Sequence, residues 1–290
     1  MMKIEQQRRL QIVEKGCEKL TIPRSLANFS DQYLSHLIVE SRYKILFNYI
    51  PKVSCTMWKE LFDQLHRTHL TFNIRFLTDL IKPESRRFQL ETCRKAVFVR
   101  EPLTRLLSMY FSKFCNYGEV QRLWEYKYGW LIVQNYREGY HSPPEIPNKD
   151  SQQPFMNITF SEFIRFITDN INKEDILRES GSRVGGTDHF LPQSTIASPC
   201  AIHYDFIGHF ENLSTEAPYM LNFLGVDHIV QYPGITASEA EKKLVDEYKK
   251  VPLELLYKLE QYYHADYELF GYSFNDTLKR IITSGNNDDN

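Results

Sequence analysis

Two short segments carry the residue types that hold phosphate or another tetrahedral oxyanion. Pro51–Met57 (PKVSCTM) brings an ammonium, Lys52, and two hydroxyls, Ser54 and Thr56, directly after an apolar run. Arg100–Ser108 (REPLTRLLS) brings Arg100, Arg105 and Ser108 directly after a second apolar run. Arg105 and Ser108 are three residues apart, which places them on one side of a helix. A guanidinium is a planar fork of donors suited to phosphate, and an ammonium is a compact point charge. A loop that leaves a strand and enters a helix also points backbone N–H groups at an anion, and the helix dipole favours it there. The first segment lacks the glycines and the G-K-[ST] ending of a Walker A loop, which disfavours kinase or NTPase chemistry. Taken singly, each segment also reads as an ordinary surface turn, with Lys52 solvated and Arg100 paired with Glu101 or a neighbour. Taken together they suit a ligand with two separated phosphate groups, since each follows a strand of the kind whose carboxyl end binds ligands.

Other residues offer less. His66 and His69 stand at i, i+3, but no further metal ligands cluster near them in sequence, so a solvated helix face is expected. Glu60 and Asp63, just beyond the first segment, are weak base candidates, and Asp205 and Glu211 read as groups that order a site. Trp58 and Trp124 read as core. Cys17, Cys55, Cys93, Cys115 and Cys200 are widely spaced and contain no C-x-x-C pair, so a zinc site and a disulfide framework are both unexpected. Sequons begin at Asn28, Asn157, Asn212 and Asn275, a slight pointer to a secretory compartment.

The elements that must position these residues follow from periodicity. Tyr43–Ile50 is a strand-length apolar run ended by Pro51, and Met57–Leu65 has helical spacing through Trp58, Leu61, Phe62 and Leu65. The same order recurs downstream: Lys95–Arg100 as strand, Glu101-Pro102 as turn, Leu103–Phe114 as amphipathic helix. Pro102 suits the first turn of that helix. A third short strand is expected at His203–Gly208. Helices are expected at Gln121–Tyr140, at Phe160–Asp169 with Thr159 or Ser161 as cap, within Glu211–Leu224, and over Ala237–Leu259 interrupted at Pro252. Leu70–Glu91 is less regular, His141–Pro154 is a proline-rich loop, Gly181–Gln193 is a glycine-rich loop, and Met1–Leu20 reads as an exposed amphipathic helix. Alternating strands and helices predict an α/β fold, a central parallel sheet flanked by helices. The chain divides into an N-terminal helical extension (1–40), one folded domain (41–276) and a flexible C-terminal tail (277–290).

Composition sets the outer limits. The chain has 290 residues, 42% of them hydrophobic and 25% charged, enough apolar material for a core. Its formal charge of −2 excludes a whole-surface nucleic-acid binder, although Arg86, Arg87, Arg94 and Lys95 leave room for a local basic patch. No stretch reaches about 18 consecutive apolar residues, so no transmembrane helix is expected, and no signal peptide is visible at the N-terminus.

Tyr49–Lys59 (YIPKVSCTMWK) followed by Phe98–Ser108 (FVREPLTRLLS) resembles the carbohydrate sulfotransferases of the chondroitin 4-O-sulfotransferase and HNK-1 sulfotransferase group. The likeness extends through Lys113-Phe114, Tyr128-Gly129, Phe160–Phe163 and Pro199–Leu213 to Phe270–Phe274, roughly residues 43–275. The resemblance implies a P-loop-like sulfotransferase fold and transfer of a sulfuryl group from 3′-phosphoadenosine 5′-phosphosulfate to a sugar hydroxyl of a glycan or glycosaminoglycan, without a metal. It assigns Pro51, Lys52, Val53, Ser54, Cys55, Thr56 and Met57 to the 5′-phosphosulfate. It assigns Arg100, Glu101, Pro102, Arg105 and Ser108 to the 3′-phosphate segment, with Arg100 and Ser108 as contacts. Lys52 would neutralise or protonate the leaving oxygen. Asp188–Pro192 (DHFLP) resembles an H-W-x-P segment of the group, which makes His189 the candidate base; the alternative is that His189 caps its loop or stacks on Phe190. The group is Golgi-resident and anchored by an N-terminal membrane helix, so membrane association is expected only through an anchor that these 290 residues do not show, with a cytoplasmic location as the alternative. A cysteine that relatives carry just before the Pro-Cys pair is replaced in Ile196–Cys200 (IASPC), so that local disulfide cannot form. The near-neutral charge leaves a neutral or lightly charged acceptor open. A degenerate glycan binder and a sulfotransferase for small hydroxyl compounds are the competing readings.

Overall fold

The computed structural model describes residues 2–25, 34–66, 75–115, 119–140, 156–171, 187–234 and 238–283. His69, Gly185-Gly186, the proline-rich 141–154 loop, the Asn28 sequon and the last seven residues lie outside them. The chain forms two compact units, one of Met1–Pro102, Leu191–Thr236 and His264–Tyr272, the other of Leu103–Phe190, Ala237–Tyr263 and Ser273–Asn290.

The first unit is built on a four-stranded sheet in the order β1 (Leu37–Glu40), β2 (Ile45–Asn48), β3 (Arg94–Val99), β4 (Phe206–His209). β2, β3 and β4 run parallel, whereas β1 is antiparallel to β2. The fold is thus α/β with a mostly parallel sheet and flanking helices, as the alternating pattern requires. β2 and the apolar end of β3 are buried throughout, which explains their continuous rather than alternating hydrophobicity. β1 departs from expectation: the stretch 1–40 ends in a sheet strand. A four-residue LIVE run after polar sequence carries too little signal to be separated from a helix.

Both sheet edges are covered. Next to β1, Val39 N–H donates to Arg75 O at 2.8 Å. At the β4 edge the side chain of Gln6 acts as a strand partner: its Nε2 donates to Ile207 O and its Oε1 accepts from Ile207 N. Gln6 belongs to α1 (Met2–Lys19), which the sequence had as an exposed helix. It is instead docked. Gly16 lies so close to the helix His264–Phe270 that a Cβ there would meet Leu269 at 2.8 Å. Arg9 is buried in a forked pair with Glu216 at 2.6 and 2.7 Å, and Glu216 also accepts from His209 N. Cys17 is bonded to Cys200 across 183 residues, so the disulfide expectation is corrected as well. With no cysteine beside it in IASPC, Cys200 finds its partner on α1.

Two further helices of this unit are α2 (Cys55–His66) and α3 (Pro83–Thr92); α4, which starts at Pro102 and runs to Tyr110, belongs from Leu103 onward to the second unit. Behind α2 a row of rings fills the core: Phe47 lies 4.8 Å from Trp58, Trp58 5.0 Å from Phe98, and Phe98 5.9 Å from Phe206. Phe98 is paired in register with Gly208, where any Cβ would sit 2.2 Å from its ring.

The second unit is helical. The expected helix over Leu103–Phe114 is α-helical to Tyr110 and widens to a π turn at Phe111–Cys115; a second π turn occupies Glu125–Gly129. Thr159 caps the helix Phe160–Asn170, taking a hydrogen bond from Glu162 N while Glu162 accepts from Thr159 N. Pro252 splits the long C-terminal run into Glu239–Tyr248 and Leu253–Tyr262. The last helix, Phe274–Thr283, continues into the stretch expected to be a tail because Thr277, Leu278 and Ile281 are buried.

Candidate active site

The loop between β2 and α2 has an unusual backbone. Lys52 and Ser54 stand at φ 69° and 58°, in the left-handed region, on either side of Val53. Such conformations cost of order 1 kcal/mol each for non-glycine residues, and persist only where surroundings impose them. Here Val53 is buried, its N–H bonds to Ile50 O, and Trp58 N–H bonds back to Ser54 O to start α2. The two left-handed residues turn the chain sharply into α2, whose first N–H groups have no partner within the helix and point at an anion. The first turn of α2 carries no acidic residue, so its positive end is not neutralised. Pro51 is buried; Lys52, Ser54, Cys55 and Met57 are half-buried and Thr56 exposed. The segment carries backbone donors, hydroxyls and one ammonium, the donor types that a phosphate- or sulfate-sized oxyanion takes.

Arg100 ties the end of β3 to this loop. It is 2% exposed, its Nη1 donates to Lys52 O at 3.1 Å, and its guanidinium lies 4.2 Å over the Phe210 ring. Its backbone is held from both sides by Gln193, whose Oε1 accepts from Arg100 N and whose Nε2 donates to Arg100 O. Gln193 is itself anchored on the buried carboxylate of Asp266. Glu101 faces inward, its N–H on Glu211 Oε1 and its carboxylate accepting from Tyr267 Oη. Glu211 also accepts from Tyr272 Oη, so it orders the strand end.

In the second unit, α4 carries Arg105 and Ser108. Arg105 is 1% exposed and donates to Asp188 O at 3.0 Å; Ser108 is half-buried. His189 ends a short 3-10 turn, Thr187–His189. Its Nδ1 lies 3.8 Å from Asp188 Oδ1, and its ring meets the edge of Trp124 at 5.5 Å. Lys113, in the first π turn, lies 5.1 Å over the same Trp124 ring. π turns recur at functional sites, and these two bracket the His189 surroundings.

The remaining candidates separate from these groups. His66 is bonded to Glu40 at 2.7 Å, Asp63 is buried, and Asp205 accepts from Lys95 N at the opposite, amino-terminal end of β3. Arg94 and Lys95 donate to carbonyls of Leu224, Leu90 and Cys93, which spends their donors on the fold. Among the described residues no group of three or more His, Cys, Asp or Glu is placed to hold a metal ion. Sequence reasoning missed Gln193, Phe210 and Tyr232, which meets Ser54. Phe210 lies beside Glu211 and Gln193 directly follows the Asp188–Pro192 segment, but Gln193 and Tyr232 are ordinary residues 93 and 178 positions from their partners.

The parallel sheet thus carries a left-handed loop after one strand and an arginine, bonded to that loop, at the end of the next. The model of the sulfotransferase family matches residues 35–273, and the chain belongs to that family of enzymes. Its relatives are carbohydrate sulfotransferases. Carbohydrate sulfotransferase 14 of Danio rerio is 32% identical, aligned over 94% of this chain and 73% of the relative. The Homo sapiens protein of the same name is 33% identical over 85% of this chain, and carbohydrate sulfotransferase 11 of Rattus norvegicus 25% over 95%. The chain spans 62% of the human relative's length and 78% of the rat relative's. No solved structure matches it significantly.

Proposed function

We propose that the chain transfers the sulfuryl group of 3′-phosphoadenosine 5′-phosphosulfate to a sugar hydroxyl, the 4-O of N-acetylgalactosamine in a chondroitin- or dermatan-type glycan. The observation that carries this reading is the left-handed Lys52–Ser54 loop at the head of α2, with Arg100 bonded to its backbone. In this reading Pro51–Met57 holds the 5′-phosphosulfate, and the segment of Arg100, Glu101, Pro102, Arg105 and Ser108 serves the 3′-phosphate. Arg100 and Ser108 make the contacts.

The donor supplies an activated sulfur. The bond from sulfur to the bridging 5′-phosphate oxygen breaks, the acceptor hydroxyl oxygen bonds to sulfur, and adenosine 3′,5′-bisphosphate leaves. Lys52 neutralises the charge that grows on the bridging oxygen, and N–H groups at the start of α2 share it. Preorganised charge of this kind is the largest single catalytic contribution in many enzymes. His189 takes the acceptor proton, with Asp188 and the Trp124 edge orienting the imidazole; general-base help is worth about 10²–10⁴-fold.

The Golgi lumen is the location this reading implies. The Cys17–Cys200 bond supports an oxidising compartment, and the sequon residues Asn157, Asn212 and Asn275 are exposed. No described helix is long and apolar enough to cross a membrane.

The experiment is transfer of sulfur label from the donor to desulfated chondroitin, desulfated dermatan and glucuronyl-terminated glycans, followed by disaccharide analysis. Label at the 4-O of N-acetylgalactosamine is expected. Label confined to the glucuronyl-terminated glycans would overturn the acceptor assignment, and donor binding without transfer to any glycan would favour a degenerate binder.

A further inference from the structure

The oxyanion loop has one partner far from it in sequence. Tyr232, in the segment after the helix Leu213–Leu224, places its phenol oxygen 2.5 Å from Ser54 Oγ. The Tyr232 ring lies 4.8 Å from the Trp58 indole, which packs in turn on Phe98 and Phe47. The phenol is therefore braced by the same rings that back the loop. It is half-buried, as Ser54 is.

A count of protons gives this contact a purpose. Two hydroxyls bring two O–H donors, and the hydrogen bond between them uses one. Whichever oxygen accepts keeps its own proton. Neither hydroxyl has a further hydrogen bond among the described residues, so one donor remains unused beside the N-terminus of α2. A tetrahedral oxyanion with unprotonated oxygens is the ligand chemistry that takes such a donor.

We propose that Tyr232 is a donor-binding residue: the Ser54–Tyr232 hydroxyl pair gives its remaining O–H to an anionic oxygen of the 5′-phosphosulfate. This rests on reading Pro51–Met57 as the 5′-phosphosulfate loop. The pair works as a unit, because either hydroxyl alone lacks the partner that aims it. It also holds Ser54 in its left-handed conformation, so the contact shapes the cradle as well as lining it.

Calorimetry with two probes tests this, adenosine 3′,5′-bisphosphate and adenosine 3′-monophosphate, on wild type, Tyr232→Phe, Ser54→Ala and the double variant. Tyr232→Phe keeps the ring on Trp58, and an unchanged melting temperature checks the fold. A hydrogen bond to a charged oxygen predicts roughly ten- to hundred-fold weaker binding of the bisphosphate in Tyr232→Phe. The double variant should be no weaker than the worse single variant, and the monophosphate, with no 5′ group, should bind all four alike. Unchanged bisphosphate affinity in Tyr232→Phe would overturn the proposal, as would equal weakening for both probes. If wild type itself does not bind the bisphosphate, the reading of the loop fails and this proposal with it, a result separate from a silent Tyr232→Phe.

Discussion

Lys52 combines a charge the chemistry needs with a backbone conformation that disfavours any side chain. At φ 69° a glycine would be more comfortable by about 1 kcal/mol. Lys52→Gly is therefore expected to hold or raise the melting temperature while transfer falls by about 10²–10³-fold, the loss typical for removing one preorganised donor. A variant that loses stability and activity together would contradict this separation. His209 gives a residue-scale prediction in pH. Burial, and then the Arg9 charge, lower its pKa from 6.5 to about 3, so the folded protein holds it neutral. A depressed pKa means that the unfolded chain binds the proton first. Stability is then lost as pH falls below about 6.5 and down towards 3, at up to about 1.4 kcal/mol per pH unit for this one group. Urea unfolding of His209→Gln between pH 7 and 5 should show a shallower acid slope than wild type; parallel slopes would remove His209 from the account. The chemistry of single residues was partly legible in the sequence. Lys52, Arg100 and Glu211 stand out by type and position, whereas Gln193 and Tyr232 act through contacts that no local spacing announces.

At the scale of elements, the strand–loop–helix units were legible because a buried parallel strand is a continuous apolar run ended by Pro51 or by Glu101-Pro102. The Thr159 cap and the break at Pro252 were legible for the same reason: each is a local rule with a local signature. β1, the helix Pro83–Thr92 and the two π turns were not. Four residues of strand and a polar helix with no buried residue leave no periodic trace, and a π turn adds one residue to a repeat that otherwise looks α. Close strand packing makes a sharp prediction here. A methyl group at Gly208 would stand 2.2 Å from the Phe98 ring, which backs Trp58 and hence α2. Gly208→Ala is expected to cost about 1–3 kcal/mol of stability by overpacking, seen as an earlier urea midpoint at unchanged slope. A neutral effect would mean that the two strands separate more easily than this register implies.

At the scale of the molecule, the first unit depends on its N-terminal helix. Gln6 closes the β4 edge, Arg9 is buried against Glu216, and Cys17 is bonded to Cys200. None of this was legible, because a helix with four buried positions among charges reads as surface until its partners are known. Arg9→Met would strand a buried carboxylate and should destabilise by about 3–5 kcal/mol, and Cys17→Ser by about 2–4 kcal/mol, in chemical unfolding. Unchanged midpoints in both would show that α1 is dispensable. The most direct test of the account is single-turnover transfer of sulfur label, with saturating glycan, by wild type, Lys52→Ala and Arg100→Ala. Label should pass to the glycan with wild type, fall by about 10²–10³-fold with Lys52→Ala, and fall with Arg100→Ala together with bisphosphate affinity. Undiminished transfer by Lys52→Ala would contradict the account at its centre.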